Sequence, residues 1–138
     1  MVIDMTPLRI IATIDETVIL MSICSILNEM DSIELVGTAN NASDTLKLVK
    51  EREPDLVLLD TKLHDMEGIE LVEKLRNEKP NLYIVFITAQ KKYLHEALRL
   101  YAYGYITKPI KKERVKDTIR CIQQAMQIPK ISPANSVI

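Results

Sequence analysis

Short apolar runs alternate along this chain with segments whose apolar residues recur at helical spacing. The runs at 8–14, 33–38, 55–60, 82–88 and 103–107 are rich in Ile, Val and Leu, which predicts strands buried on both faces. The intervening segments 16–30, 42–52, 67–79, 90–101 and 111–127 are predicted helices. In the last of them Val115, Ile119, Ile122 and Met126 form an apolar stripe opposite charged residues. Local punctuation agrees: Pro54 and Pro80 stop the second and third helices. The stretch Asn41 to Asp44 offers oxygens to cap the second helix, and Gly68 suits a turn into the third. Five strand-helix units in strict alternation predict right-handed crossovers. The fold class is therefore α/β, a five-stranded parallel sheet of flavodoxin-like order 2-1-3-4-5 with helices on both faces.

Such a sheet gathers the C-terminal ends of its strands along one crevice. Here four of those ends carry reactive side chains: Asp15 and Glu16 after the first strand, Asp60 on the third, Thr88 on the fourth and Lys108 after the fifth. Each has a plain structural reading. Asp15 and Thr88 suit helix caps, Asp60 a solvated strand end, and Lys108-Pro109 an ordinary turn. Their coincidence on one rim is what points to chemistry. A carboxylate attacking phosphorus needs its charge neutralised and the phosphoryl oxygens held. Asp60 is the candidate nucleophile. Mg²⁺ would be held by Asp15, Asp60 and a backbone carbonyl just after Asp60, that of Lys62. The Thr88 hydroxyl and the Ala89 amide would bind phosphoryl oxygens, and Lys108 would supply positive charge.

Over residues 8–127 the chain resembles a receiver domain of a two-component response regulator. The matching residues are Asp15, the run from Pro54 to Asp60, Met66-Glu67-Gly68, Thr88-Ala89, Tyr105 and Lys108-Pro109. The resemblance implies that Asp60 is a phosphoacceptor served by a histidine kinase, with Mg²⁺ as cofactor. It also implies that Thr88 and Tyr105 are switch residues, that Lys108 binds the phosphoryl group, and that Lys62 and Gln90 tune its lifetime. The Lys108-Pro109 bond is expected to be cis. The short interval from Thr88 to Lys108, with Tyr93 and Glu96-Ala97 inside it, resembles receivers attached to LytTR-type DNA-binding domains.

One position departs from the family pattern. Receivers carry two adjacent acids after the first strand, and Ile14 stands in the first place. In the family that acid holds the metal through a water, so its absence is expected to weaken Mg²⁺ binding by roughly 1.5–3 kcal/mol. Glu16 could compensate in part by reaching back to a metal-bound water. With fewer carboxylates around Lys108, like-charge repulsion in the metal-free pocket also falls. The alternative reading is a degenerate receiver that serves as a phosphorylation-independent interaction module. His64 replaces a common proline and Glu67 a common aspartate, neither at the reaction centre; His64 and His95 read as exposed side chains. Tyr93, Leu94, Leu98, Tyr101 and Tyr103 offer a homodimer or output-partner surface on the 90–127 face, unless they pack the core.

Composition narrows the remaining classes. A chain of 138 residues, 47% hydrophobic and 27% charged, is expected to be one domain. Residues 1–7 read as an extension and 128–138, with Pro129 and Pro133, as a tail or linker stump. The net charge of −1 gives no footprint for nucleic acid or an anionic membrane. No signal-peptide pattern and no run of the roughly 20 apolar residues a membrane span needs is present, so a cytoplasmic protein is expected. Cys24 and Cys121 are expected to be reduced, buried thiols. A turnover enzyme is not expected: Asp60-Thr61-Lys62 lacks the second aspartate of Asp-x-Asp phosphatases. Neither a nucleophile elbow nor a phosphate-cradling glycine loop is present.

Overall fold

The computed structural model describes residues 6–89 and 102–127. Five strands form one sheet: β1 (Leu8–Thr13), β2 (Ile33–Ala39), β3 (Leu56–Asp60), β4 (Tyr83–Thr88) and β5 (Gly104–Thr107). All pairings are parallel and the order is β2-β1-β3-β4-β5, as the alternation predicts. The described helices are α1 (Thr17–Asn28), α2 (Ala42–Arg52), α3 (Gly68–Glu78) and α4 (Lys112–Gln127). The predicted helix at 90–101, with Gln90, Tyr93, Leu94, His95, Leu98 and Tyr101, lies outside the described residues.

Side chains along a strand alternate between faces, so each central strand feeds two cores. Ile10, Ala12, Leu56, Leu58, Val85 and Ile87 pack with Ile23, Ile26 and Leu27 of α1 and Val115, Ile119 and Ile122 of α4. Ile11, Val57, Leu59, Ile84 and Phe86 face the other way, onto Val49 of α2 and Leu71, Val72 and Leu75 of α3. Burial on both faces is why these strands read as continuous apolar runs rather than alternating ones.

Two expectations need correction. Met126 belongs to the apolar stripe by spacing but is 44% exposed. In the last turn of α4 it overhangs an open groove shared with Pro54, Pro80 and Tyr83. The cysteines are free, but Cys121 is exposed and Cys24 only half-buried. Each is adjacent to a buried isoleucine, Ile122 and Ile23, and one residue is about 100° around a helix, enough to leave the buried stripe. Partial burial pushes the Cys24 thiol up from its ordinary pKa.

The start of α2 is tied to two strand ends. Asn41 accepts a hydrogen bond from the Asp44 amide at 2.8 Å, the predicted cap. Asp65, in the loop after β3, accepts from the Ala42 amide at 2.8 Å and the Ser43 amide at 3.0 Å. Beneath them the Thr13 and Thr45 hydroxyls lie 2.7 Å apart, and Thr45 also donates to the Asn41 carbonyl at 2.8 Å. Thr45 has one proton, so Thr13 is the donor between them. At the other end α2 stops at Glu53, whose left-handed backbone (φ 47°) turns the chain into Pro54.

The bond from the Ala42 amide, joined by that from Ser43, outweighs partial desolvation and holds the Asp65 carboxyl below its usual range. Because folding lowers this pKa, the stabilisation is present above the unfolded value of about 3.9. It fades as pH falls through the lower folded value. Asp65→Asn, which replaces one accepting oxygen by an NH2 donor, is expected to cost about 1 kcal/mol in urea unfolding at neutral pH, and the deficit should close in acid. A deficit that persists unchanged once Asp65 is protonated would rule out the carboxylate as its source.

Candidate functional site

Backbone hydrogen bonds lace the end of β1 to that of β2, the end of β3 to β4, and the end of β4 to the turn after β5. Ile14 donates to the Ala39 carbonyl at 3.0 Å, Thr61 to Ile87 at 3.3 Å and Lys108 to Thr88 at 2.8 Å. This lacing brings Asp60, Thr88 and Lys108 onto one rim, as predicted. Asp60 is only 3% exposed, and Thr88 is likewise buried. The Lys108 ammonium lies 3.3 Å and 3.4 Å from the two Asp60 oxygens. It is also 2.7 Å from Glu16 Oε1. Burial alone would push the Lys108 ammonium down. The hydrogen bond to Glu16 and the charge of Asp60 overcome that and hold it above the ordinary lysine range. The Lys108-Pro109 bond is cis, in agreement with the family expectation.

The remaining predicted residues distribute as follows. Asp15 is half out of the pocket, its Oδ1 3.6 Å from Nδ1 of exposed His64. It does not cap α1: the N-cap is Glu16, whose side chain makes no capping bond, and the helix begins at Thr17. Lys62 is exposed, and its amide makes a long 3.5 Å contact to Asp60 Oδ1. Ala89 is exposed beside Thr88. Tyr105 is half-buried against the core on the α2/α3 side, and its carbonyl accepts from Arg114 at 3.2 Å. Ile14, which the motif puts in the pocket, is fully buried in the core between the sheet and helices α1 and α4. An apolar side chain gains more there than on a charged rim.

Two residues that the sequence reading left without a role matter locally. Thr61 is buried and its hydroxyl donates to Thr88 Oγ1 at 3.2 Å, which fixes one partner of the Thr88 hydroxyl. Only its position after Asp60 hinted at this. Asp65 is the other, through the α2 cap. Gly68 keeps its importance for a different reason than a turn. Its φ is not positive, but a Cβ there would stand 2.6 Å from the Asp60 carbonyl oxygen and 3.0 Å from Thr61 backbone atoms. Its amide donates to the Thr61 carbonyl at 2.9 Å.

Among the described residues the donors near the rim for a hard cation are carboxylate oxygens: Asp60, buried beside Lys108, Glu16 at the mouth, and Asp15, half out of the pocket. Among the described residues, no group of three or more His, Cys, Asp or Glu side chains is arranged to hold a metal. The chemistry of such carboxylates suits Mg²⁺, which keeps several waters and is commonly bound through one or two of them. They do not make a dedicated cage. A groove of about 510 Å³ lies away from this rim, lined by Pro54, Glu78, Pro80 and Met126, and holds none of these residues.

The family model described as response regulator receiver domain matches residues 10–120. The chain belongs to the response regulator receiver family. This receiver is 30% identical over 119 residues to the sensory transduction protein LytR of Staphylococcus saprophyticus, covering 86% of this chain and 47% of that protein. It is 29% identical over 132 residues to the transcriptional regulatory protein YpdB of Escherichia coli, covering 94% of this chain and 54% of that protein. The receiver thus spans about half the length of these relatives. Among solved structures it is similar to the response regulatory domain of mrkE from Klebsiella pneumoniae, with a TM-score of 0.79 and 27% identity over 85% of this chain and 96% of that one. The isolated domain of RcsB from Salmonella enterica shares the fold, with a TM-score of 0.81 at 17% identity over 93% of this chain and 94% of that one. The LytR relatives agree with the LytTR-associated type expected from the Thr88–Lys108 interval. Receivers act in two-component signalling, generally bind Mg²⁺ at this acidic site, and are generally not turnover enzymes. No helix among the described residues is long and apolar enough to cross a membrane.

Gly68→Ala is expected to force the end of β3 away from α3, costing about 1–3 kcal/mol as an overpacking substitution. Urea unfolding reads the cost, and a backbone amide shift at Asp60 and Thr61 locates it. Native stability with unmoved amides would contradict the close approach.

Proposed function

We propose that this receiver accepts a phosphoryl group on Asp60 from a histidine kinase and passes the signal on through a changed partner-binding surface. The observation that carries this reading is the Lys108 ammonium, within 3.4 Å of both oxygens of an almost wholly buried carboxylate. An Asp60 oxygen forms the bond to phosphorus as the bond from phosphorus to the donor breaks, the leaving atom keeping the electron pair. Lys108, the Thr88 hydroxyl and the Ala89 amide take the phosphoryl oxygens. Mg²⁺, when bound by Asp15, Asp60 and the Lys62 carbonyl, supplies further charge neutralisation. Thr88 and Tyr105 then turn toward the modified site and shift the population of the 90–127 face.

That face serves a homodimer or an output partner. Tyr103, exposed and packed edge-on against Tyr83 with ring centroids 5.5 Å apart, is its described aromatic contribution. Lys62 and Gln90 tune the lifetime of the phosphoryl group. The receiver occupies residues 8–127, flanked by an extension at 1–7 and a tail or linker stump at 128–138, and works in the cytoplasm. With a net charge of −1 it makes no nucleic-acid contact of its own. Incubation with acetyl phosphate and Mg²⁺ is expected to add the mass of one phosphoryl group, lost in Asp60→Asn. A modified Asp60→Asn, or an unmodified wild type at saturating Mg²⁺, would refute the assignment.

A second reading is favoured by Ile14. Ile14 is fully buried and brings no acid to the rim, which suits a receiver recognised without phosphate. Ile14→Asp separates the two. Replacing a fully buried isoleucine with a carboxylate is expected to destabilise by about 2–5 kcal/mol. If the missing acid is what weakens the site, Mg²⁺ should restore more melting temperature to Ile14→Asp than it adds to the wild type. Equal Mg²⁺ responses would remove the metal argument and leave Ile14 as a core residue alone.

A further inference from the structure

The shortest contact Lys108 makes is not with the proposed phosphoacceptor. Glu16 Oε1 lies 2.7 Å from Nζ, against 3.3 Å and 3.4 Å to the Asp60 oxygens. Glu16 stands at the N-cap of α1 without capping it, and its side chain extends across the pocket mouth to Lys108 instead. The three groups are layered by depth, with side chains 60%, 15% and 5% exposed for Glu16, Lys108 and Asp60. One ammonium is therefore shared between an outer and an inner carboxylate. Ile14, turned into the core, brings no third acid to the arrangement.

We infer that Glu16 is a positioning residue that holds Lys108 toward the pocket mouth and opposes acceptance of the phosphoryl group. The inference rests on the phosphoacceptor reading of Asp60. With acetyl phosphate as donor, an Asp60 oxygen bonds to phosphorus, the bond from phosphorus to the acetyl oxygen breaks, and acetate leaves with the electron pair. The modified Asp60 then carries anionic phosphoryl oxygens that need the ammonium. Lys108 must leave Glu16 to serve them, and the Glu16 carboxylate is left facing a second anion. A contact made before the reaction and lost after it disfavours the product. Glu16 thus sets how readily the switch is thrown and how long it holds.

The test compares wild type, Glu16→Gln and Glu16→Asp, each alone and in a Lys108→Ala background, with acetyl phosphate and Mg²⁺. Intact mass follows modification and its loss after the donor is removed. Glu16→Gln is expected to raise the ratio of modification rate to loss rate about tenfold, the size of one charge-assisted contact. Glu16→Asp, one methylene too short for the contact, should follow Gln. In the Lys108→Ala background the Gln change should add nothing. In the unmodified, metal-free protein the Lys108 side-chain ammonium resonance should move in Glu16→Gln. Equal ratios for wild type and Gln, an Asp variant indistinguishable from wild type, an effect surviving Lys108→Ala, or an unmoved resonance each overturn the role of Glu16 while Asp60 keeps its own. If neither wild type nor Glu16→Gln is modified, the phosphoacceptor reading fails, and this role falls with it.

Discussion

A carboxylate buried at the end of a central strand is tolerable only beside a cation, and Lys108 is the cation that makes Asp60 tolerable here. Taking either charge out of water without the other costs several kcal/mol. The pair forms because the turn after β5 is hydrogen-bonded to the end of β4, which is itself in register with β3. The site is thus a product of the sheet: two neighbouring ladders, each apolar on both faces, carry polar residues to a common edge. Displacing any ladder by one residue would exchange Asp60 or Thr88 for a core side chain.

Around that pair, negative charge is arranged by depth. Ile14 packs inward and brings no acid to the rim. A neighbouring glutamate, free of any capping duty, reaches Lys108 from the solvent side. Asp15 stands near His64, on the outer edge of the rim. Among the described residues that meet Lys108, Asp60 is the buried carboxylate and Glu16 the exposed one at the mouth.

The fold was almost wholly readable from the chain because the central strands are continuous apolar runs buried on both faces and the helices are apolar stripes, two of them cut short by prolines. Leu56 to Leu59 and Ile84 to Ile87 could hardly be anything but double-faced strands. The rim residues Asp60, Thr88 and Lys108 were equally legible, since each ends or follows such a run. What escaped was whatever depends on side-chain direction between distant segments. Spacing cannot say that Ile14 turns inward or that Glu16 meets Lys108. Nor can it say that Asp65 reaches two amides of a helix 22 and 23 residues before it. The exposed Cys121 and Met126 mark the same boundary, because a helical stripe has edges and ends that only the facing layer defines.

The hydrogen bonds from α2 to Asp65 tie the loop that follows Asp60 to a helix on the far side of β1. Thr13 and Thr45 close the circuit from below. Drift of the loop away from α2 therefore breaks hydrogen bonds at the first turn of the helix, together worth about 1 kcal/mol or more. The consequence is mechanical: the loop that leads away from the carboxylate is anchored to α2 by two amides on one side chain, so a shift of either segment is felt by the other.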